Sequence, residues 1–441
     1  MEPIKAVLIG AGQRGMDVYA AYALENPGEI RFVGVCEPDE QRRREFMQLH
    51  GIEERMGFSG WEAFLDGRTE ADAVLICTQD QMHFEPARKA IALGYHVLLE
   101  KPMAVDPAEC MQLGDMAEAA GNVFSICHVL RYTPFFHRLK QLLEQERIGQ
   151  LISIQHNENV GFWHQAHSFV RGHWRRADMS SPMIVAKCCH DMDMLLWLAD
   201  ADCLRVSSFG SLTHFREEQA PLGAPLRCLD GCPVQEECPY YAPRVYLGTD
   251  NWHGSVFRSV VSREKDAASV MRALYDGPYG RCVYRCDNDV VDHQVVNLEF
   301  ANGVTAAFTM SAFTPDCTRT IKLMGSLGEI RGAVEKNEIE LTSFVTGTRE
   351  TIRFNPSAGG HSGGDEGIMR DFVKQVRAGR QGSSRTSAEV SVQSHLIAFA
   401  AEASRLRNQV VELEDFREKL RHDEVRNALA GAAKETTPKE V

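Results

Sequence analysis

No apolar run in the 441-residue chain approaches the roughly 20 residues that a membrane-crossing helix needs, so no such helix and no membrane partner is expected. Positive charge is in short supply: 48 Lys and Arg stand against 61 Asp and Glu, a net charge of -13. Nucleic-acid affinity rests on clustered basic residues, so no nucleic-acid partner is expected. The start, Met1-Glu-Pro-Ile-Lys-Ala-Val-Leu-Ile-Gly10, lacks the basic opening and long apolar centre of a secretory leader. A cytoplasmic location follows as an expectation. The cysteines number 13, an odd count that argues against a disulfide framework, and they are expected to be reduced. No internal repeat is present.

What remains is ordinary globular composition, 44% hydrophobic and 25% charged. The length exceeds the roughly 250 to 300 residues at which one core stops growing, so two domains are expected. From residue 4 to about 129, apolar runs at Ile4–Ile9, Ile30–Cys36, Ala71–Cys77, His96–Leu99 and Val123–Cys127 alternate with helical spacing, as at Glu85–Leu93 and Pro107–Ala120. Asp106 supplies an N-cap to the latter helix and Gly121 a stop. Strands separated by helices predict an α/β, doubly wound parallel sheet over residues 1–129.

Gly10-Ala-Gly-Gln-Arg-Gly15 follows the first of these strands and opens a helix. Gly10 permits a tight turn, Gly12 lets a pyrophosphate approach the backbone, and Gly15 lets helix and strand pack closely. Gln13 and Arg14 complete the loop, whose free amides meet phosphates. Glu37 ends the second strand, where a carboxylate accepts hydrogen bonds from a ribose and repels a 2′-phosphate, so NAD is expected over NADP despite Arg42, Arg43 and Arg44 nearby. The bland alternative is a glycine turn without a ligand. Glu100, Lys101 and Pro102 close the fifth strand on the edge where open parallel sheets bind ligands, so Lys101 can reach the nicotinamide. Desolvation there would lower the Lys101 pKa. Thr78 and His83 follow the fourth strand on the same edge, although His83 could merely cap the next helix.

With His190, Asp193 and Trp197-Leu198 further on, the glycine loop and the Glu100-Lys101-Pro102 triplet resemble the Gfo/Idh/MocA oxidoreductases, named for glucose-fructose oxidoreductase, inositol dehydrogenase and a rhizopine-catabolism protein. The resemblance implies a Rossmann domain, then a C-terminal α+β domain with a large open, mainly antiparallel sheet. It also implies a tightly held nicotinamide, a carbohydrate substrate, a homo-oligomer, Lys101 in the active site and His190 as its acid/base. The chain departs from the pattern at Ala186, where many members carry an aspartate four residues before the histidine.

The second domain is expected over 130–410, with strands near Leu151–His156, Leu204–Leu212, His293–Phe300, Val304–Ser311 and Thr318–Gly325. Ser180–Leu198 reads as one buried helix with Lys187, His190 and Asp193 sharing a face, and mutual repulsion would hold Lys187 and His190 near neutrality. His156–Trp174 crowds aromatic and hydrogen-bonding side chains as carbohydrate sites do, offering Glu158, Trp163, His164, His167, Arg171 and Trp174 as a substrate wall. Its alternative is a polar surface loop, and a zinc site on His164 and His167 lacks a completing ligand. Arg131, Asp193, His361 and Asp365 are further substrate candidates. The loop Gly359–Asp365 lets His361 and Asp365 approach a ligand, or is a hairpin ending in an N-cap.

Within a segment of loops from about 217 to 287, Cys228, Cys232 and Cys238 precede Cys282 and Cys286. Three of them with Cys286 form a candidate structural zinc site, an iron–sulfur cluster and free thiols being the alternatives. A helix through about Arg407 and a solvated tail over 411–441 close the chain.

Three functions fit. The first is an NAD-dependent dehydrogenase of a sugar or polyol, with Lys101 and His190 in proton transfer. The second is an NAD-dependent glycosidase working through transient oxidation. The third is a dinucleotide and sugar sensor without chemistry.

Overall fold

A computed structural model describes residues 2–67, 70–248, 252–355, 360–379 and 385–421. The first half is a six-stranded sheet in the order β3-β2-β1-β4-β5-β6, with β1 Ile4–Ile9, β2 Ile30–Cys36, β3 Gly57–Phe58, β4 Ala73–Ile76, β5 His96–Leu99 and β6 Phe124–Ile126. Every pairing in it is parallel. Strands covered on both faces must be apolar throughout, which is why Ala-Val-Leu-Ile of β4 is buried at every position. The fold tightens where β1 turns into the Gly15–Ala20 helix. Gly10 has a φ of +93°, and a Cβ there would stand 2.7 Å from the Cys77 carbonyl oxygen. A Cβ at Gly15 would meet the Gly10 carbonyl oxygen at 2.4 Å, so only glycine allows helix and strand to pack this closely.

The second half carries a nine-stranded sheet in the order β14-β13-β12-β11-β7-β10-β9-β8-β15. Its members are β7 Leu151–Asn159, β8 Cys203–Ser211, β9 His293–Phe300, β10 Thr305–Ser311, β11 Thr318–Gly325, β12 Gly328–Ala333, β13 Glu338–Ser343, β14 Arg349–Arg353 and β15 Val411–Glu412. Only β7 and β10 pair in parallel. Alternation along β10 buries Ala306, Phe308 and Met310 and turns Thr305 and Thr309 outward, the mark of a sheet with one packed face. Leu204, Phe209 and Val295 are exposed on β8 and β9.

Two helices return to the first half. Ile368, Met369, Phe372 and Val373 of the Gly364–Ala378 helix pack into the core beside β1 and β2, and Ser387, just before the Ala388–Arg407 helix, bridges to Ser125 of β6. The parallel sheet is thus completed by residues far from it in sequence.

Two expectations need correction. Residues 217–287 are not all loops, since helices run over Ala242–Leu247, Trp252–Val261 and Ala267–Asp276. The Leu413–Arg421 helix is not solvated all round, because its amphipathic spacing buries Phe416 and Leu420. The remaining expected tail, 422–441, lies outside the described residues. No helix among the described residues is long and apolar enough to cross a membrane.

Candidate active site

Where the two halves meet lies a cavity of about 630 Å³. Arg14, Thr78, Glu100 and Lys101 line it from the first half, and His164, Trp174, Lys187, His190, Arg319 and His361 from the second. At the far end of the glycine loop, buried Glu37 accepts the Ala11 N–H at 2.8 Å and pairs with Arg42 at 2.8 Å. A Cβ at Gly12 would meet nothing within 4 Å, whereas Gly10 and Gly15 are closed in by backbone. This turn therefore leaves open space at the glycine where a pyrophosphate would approach, with a carboxylate placed for a ribose, so the residues fit a dinucleotide. Gln13 of the same loop is exposed.

Arg14 ties the halves together. Its guanidinium donates to Glu100 at 2.6 Å, to the Tyr19 hydroxyl at 2.8 Å and to both Asp365 oxygens at 2.9 and 3.1 Å. Burial opposes ionisation of Glu100, but Arg14 and the Tyr19 hydroxyl hold its carboxyl below the usual range. Lys101 follows on the cavity edge, joined to Pro102 by a cis peptide. Its Nζ donates to the Ala186 carbonyl oxygen at 2.9 Å and lies 5.8 Å from the Trp174 ring centre. At the residue where the resemblance led us to expect an aspartate side chain, a backbone carbonyl thus meets the lysine.

The helix expected over Ser180–Leu198 breaks: one turn, Met183–Ala186, is followed by Lys187 at φ −109° and a new helix over Cys189–Ala199. His190, on the first turn of that helix, is buried, and its Nδ1 has no partner within the described residues. Burial first, then the Lys101 charge, hold its pKa well below 6.5. Lys187 behaves oppositely. Burial would lower its pKa, but Cys317 and the Glu158 carboxylate, 3.4 Å away, raise it, so the expectation of a shared near-neutral pKa fails.

Behind Lys187 lies a set of buried charges that no motif announces. Arg319 of β11 lies 2.6 Å from Glu158 of β7 and donates to Asp191 at 2.7 Å, and Asp191 also meets His156 at 2.8 Å. Asp80, just beyond β4, accepts from the Trp174 indole at 3.1 Å and from Ser180 at 2.8 Å, fixing the aromatic wall to the first half. Glu335, Asn337 and Asn355 add polar groups from the β12–β14 side. Sequence reasoning missed Asp80, Arg319 and these three. Arg319 shares the face of β11 that buries Ile321 and Leu323, and Asn337 lies in the turn between β12 and β13, so no local pattern set either apart.

Other candidates sit elsewhere. Arg131 and Asp193 pair with each other at 2.7 and 2.8 Å, about 5% and 1% exposed, and neither lines the cavity. Burial pushes the Asp193 carboxyl above its usual range while Arg131 pulls it down. His167 is stacked between Phe257 and Tyr279, with centroids 3.9 and 4.5 Å away, and Arg171 is buried against the Tyr240 and Arg281 carbonyls. Trp163 stacks on His164 behind the wall, donating to the Pro315 carbonyl. His83 contacts the Pro102 carbonyl at 2.7 Å and the Thr78 carbonyl at 3.1 Å, bracing the turn below Lys101 rather than lining the cavity. His361 lines the cavity 6.1 Å from the His190 ring and contacts Asp365 at 3.1 Å, so Asp365 is engaged by both His361 and Arg14. Gly359 lies outside the described residues. Of the candidate metal ligands, Cys286 turns away, its thiol donating to the Cys282 carbonyl oxygen at 3.3 Å. As they stand, no three thiols, imidazoles or carboxylates among the described residues are arranged to hold a metal ion.

The parallel sheet, glycine turn, lysine at the sheet edge and antiparallel platform define a class, and comparison of the sequence with family models agrees. "Oxidoreductase family, NAD-binding Rossmann fold" matches residues 4–128 and "Oxidoreductase family, C-terminal alpha/beta domain" matches 140–413. The chain belongs to the Gfo/Idh/MocA oxidoreductases. It is 22% identical over 325 residues to YteT of Bacillus subtilis, covering 69% of this chain and 72% of that protein. It is 29% identical over 160 residues to D-glucoside 3-dehydrogenase of Escherichia coli, covering 34% of this chain and only 41% of the relative. In three dimensions it resembles levoglucosan dehydrogenase in complex with NADH and levoglucosan, with a TM-score of 0.69 and 19% identity, covering 93% of this chain and 100% of that one.

Proposed function

We propose that the protein oxidises a hydroxyl group of a sugar or sugar-derived polyol, with NAD as the electron acceptor and as a homo-oligomer. The reading rests on one observation: Lys101 from the parallel sheet and His190 from the second half line a single cavity that opens beside the glycine turn. A bound nicotinamide would accept the hydride there. His190 lines the cavity and, kept neutral by burial and by the Lys101 charge, is suited to take the hydroxyl proton. The Lys101 ammonium, steered by the Ala186 carbonyl, stabilises negative charge as it develops on the substrate oxygen. Trp174 offers an aromatic face, and Arg319, Glu335 and Asn337 offer hydrogen bonds, a combination suited to a polyhydroxylated ring. Glu37 favours NAD over NADP. The exposed apolar residues of β8 and β9 support association of copies.

The test is a panel of sugars, polyols and aryl glycosides incubated with NAD or NADP. Stoichiometric NADH formation with a sugar or polyol is expected. Aglycone release without NADH accumulation would instead establish the redox-neutral glycosidase, and tight NAD binding without turnover across the panel would establish the sensor.

A further inference from the structure

Arg171 presents an electrostatic problem that the cavity chemistry does not explain. Its side chain is fully buried, and its Nη1 has no hydrogen-bond partner within the described residues. Its Nε reaches the Arg281 carbonyl and its Nη2 the Tyr240 carbonyl, both at 2.7 Å, and Nη2 also lies 3.6 Å from Cys228 Sγ. No carboxylate among the described residues forms an ion pair with it, and the acidic groups that act on it most are Tyr246 and the thiols of Cys228, Cys286 and Cys282. A buried cation without an anion is strongly disfavoured, so a counter-ion is called for here.

The same guanidinium lines a void of about 10 Å³ together with Cys228, Cys232, Cys238 and Cys282. Cys228 Sγ accepts from two N–H donors, Arg171 at 3.6 Å and the Ala242 backbone at 3.5 Å. The same sulfur also lies 3.9 Å from the Arg281 carbonyl oxygen. Cys238 has Cys228 and Cys232 as electrostatic neighbours, and Cys282 has Cys228 and Cys238.

We propose that Cys228, Cys232, Cys238 and Cys282 form a tetrathiolate zinc site. Zinc takes four thiolates in tetrahedral closed sites, and its arrival would draw the sulfurs inward across the void. Each thiol releases a proton on binding. Two positive charges on the metal and four negative sulfurs leave a double negative charge, which supplies the counter-ion that Arg171 lacks. The site ties the Gln165–Arg171 helix to the insertion. That helix begins next to His164 and ends three residues before Trp174, both on the cavity wall, so the zinc would brace the substrate side. Cys286, outside the void, is not a ligand.

Full-length protein purified under reducing conditions, with zinc supplied, is analysed for zinc, iron and acid-labile sulfide. About one zinc per chain is expected, absent from Cys238→Ser and Cys282→Ser and retained in Cys286→Ser. If a serine variant does not fold, wild-type protein exchanged with Co²⁺ should show the intense visible and sulfur-to-metal absorption of tetrahedral thiolate cobalt. Arg171→Met should release zinc to a chelator with an affinity lowered about 10- to 100-fold, as for other groups that support metal ligands. A chain that takes up neither zinc nor cobalt, that holds iron with sulfide, or that keeps zinc in Cys282→Ser while losing it in Cys286→Ser would overturn the proposal.

Discussion

Removing Asp193 should cost far more stability than removing any exposed carboxylate, because of what it would leave behind. Arg131 is held by Asp193 through two short hydrogen bonds, by the Asp193 and Arg385 carbonyls at 3.3 and 2.9 Å, and across the Trp197 ring at 5.4 Å. In Asp193→Ala the guanidinium stays in place, buried and uncompensated, a change worth about 3–5 kcal/mol. Against a total stability of about 5–15 kcal/mol this is a large share. With an m-value of about 3 kcal/mol/M, the urea midpoint should fall by about 1 M or more. Arg131→Leu should cost about as much, since it strands the carboxylate. The double variant Arg131→Leu/Asp193→Leu should instead recover most of the loss, because two desolvated charges are then absent together; the upward pull of burial on the Asp193 pKa points the same way. The assay is equilibrium urea unfolding of the four proteins, followed by tryptophan fluorescence and circular dichroism. A midpoint for Asp193→Ala within about 0.3 M of wild type, equivalent to about 1 kcal/mol, or additive losses in the double variant, would refute the structural role. It would return both residues to the substrate site.

Three further outcomes are expected. Because His190 is held well below 6.5, it stays neutral through that pH, so the acid limb of kcat/KM should lie clearly below 6.5; a limb at the ordinary histidine value would contradict the assignment. Burial raises the Asp365 pKa, but His361 and Arg14 outweigh it and hold the carboxyl below its usual range, so its stabilisation is present above about pH 4 and is lost as pH falls toward the folded value. The thermal-midpoint advantage of wild type over Asp365→Asn should therefore be seen at neutral pH and shrink on acidification, and a constant difference would count against the clamp. Glu37→Ser should release Arg42 from its ion pair and lower the preference for NAD over NADP by about tenfold or more, read from kcat/KM with each coenzyme; an unchanged ratio would remove Glu37 from specificity.

The parallel sheet was legible because strands buried on both faces leave continuous apolar runs, as in Ala73–Ile76 and His96–Leu99. The expected bounds of His293–Phe300 and Thr318–Gly325 coincide with β9 and β11. The β12–β14 strands escaped notice because they are short, with polar outward positions such as Glu329, Arg331 and Glu340, and their pairing comes from neighbours rather than pattern. At the candidate site, glycine spacing and a charged pair ending an apolar run are local signals, so Gly10, Glu37 and Lys101 could be found. Asp80 and Arg319 could not, since each is a lone polar residue whose meaning depends on a partner about 100 residues or more away. The crowded stretch around His156–Trp174 misled in part: its aromatic and basic side chains divide between the cavity wall and an interior where His167 is stacked and Arg171 is buried.

The central claim is that Lys101 and His190 act together on one substrate oxygen. Single-turnover hydride transfer should be measured for wild type, Lys101→Met, His190→Asn and the double variant, with coenzyme affinity determined separately. Each single change should slow transfer by about 10²–10³-fold while NAD stays bound, and the double variant should be little slower than the worse single one, as for residues that work as a unit. Fully multiplicative losses, or a Lys101→Met enzyme of unchanged rate, would contradict it.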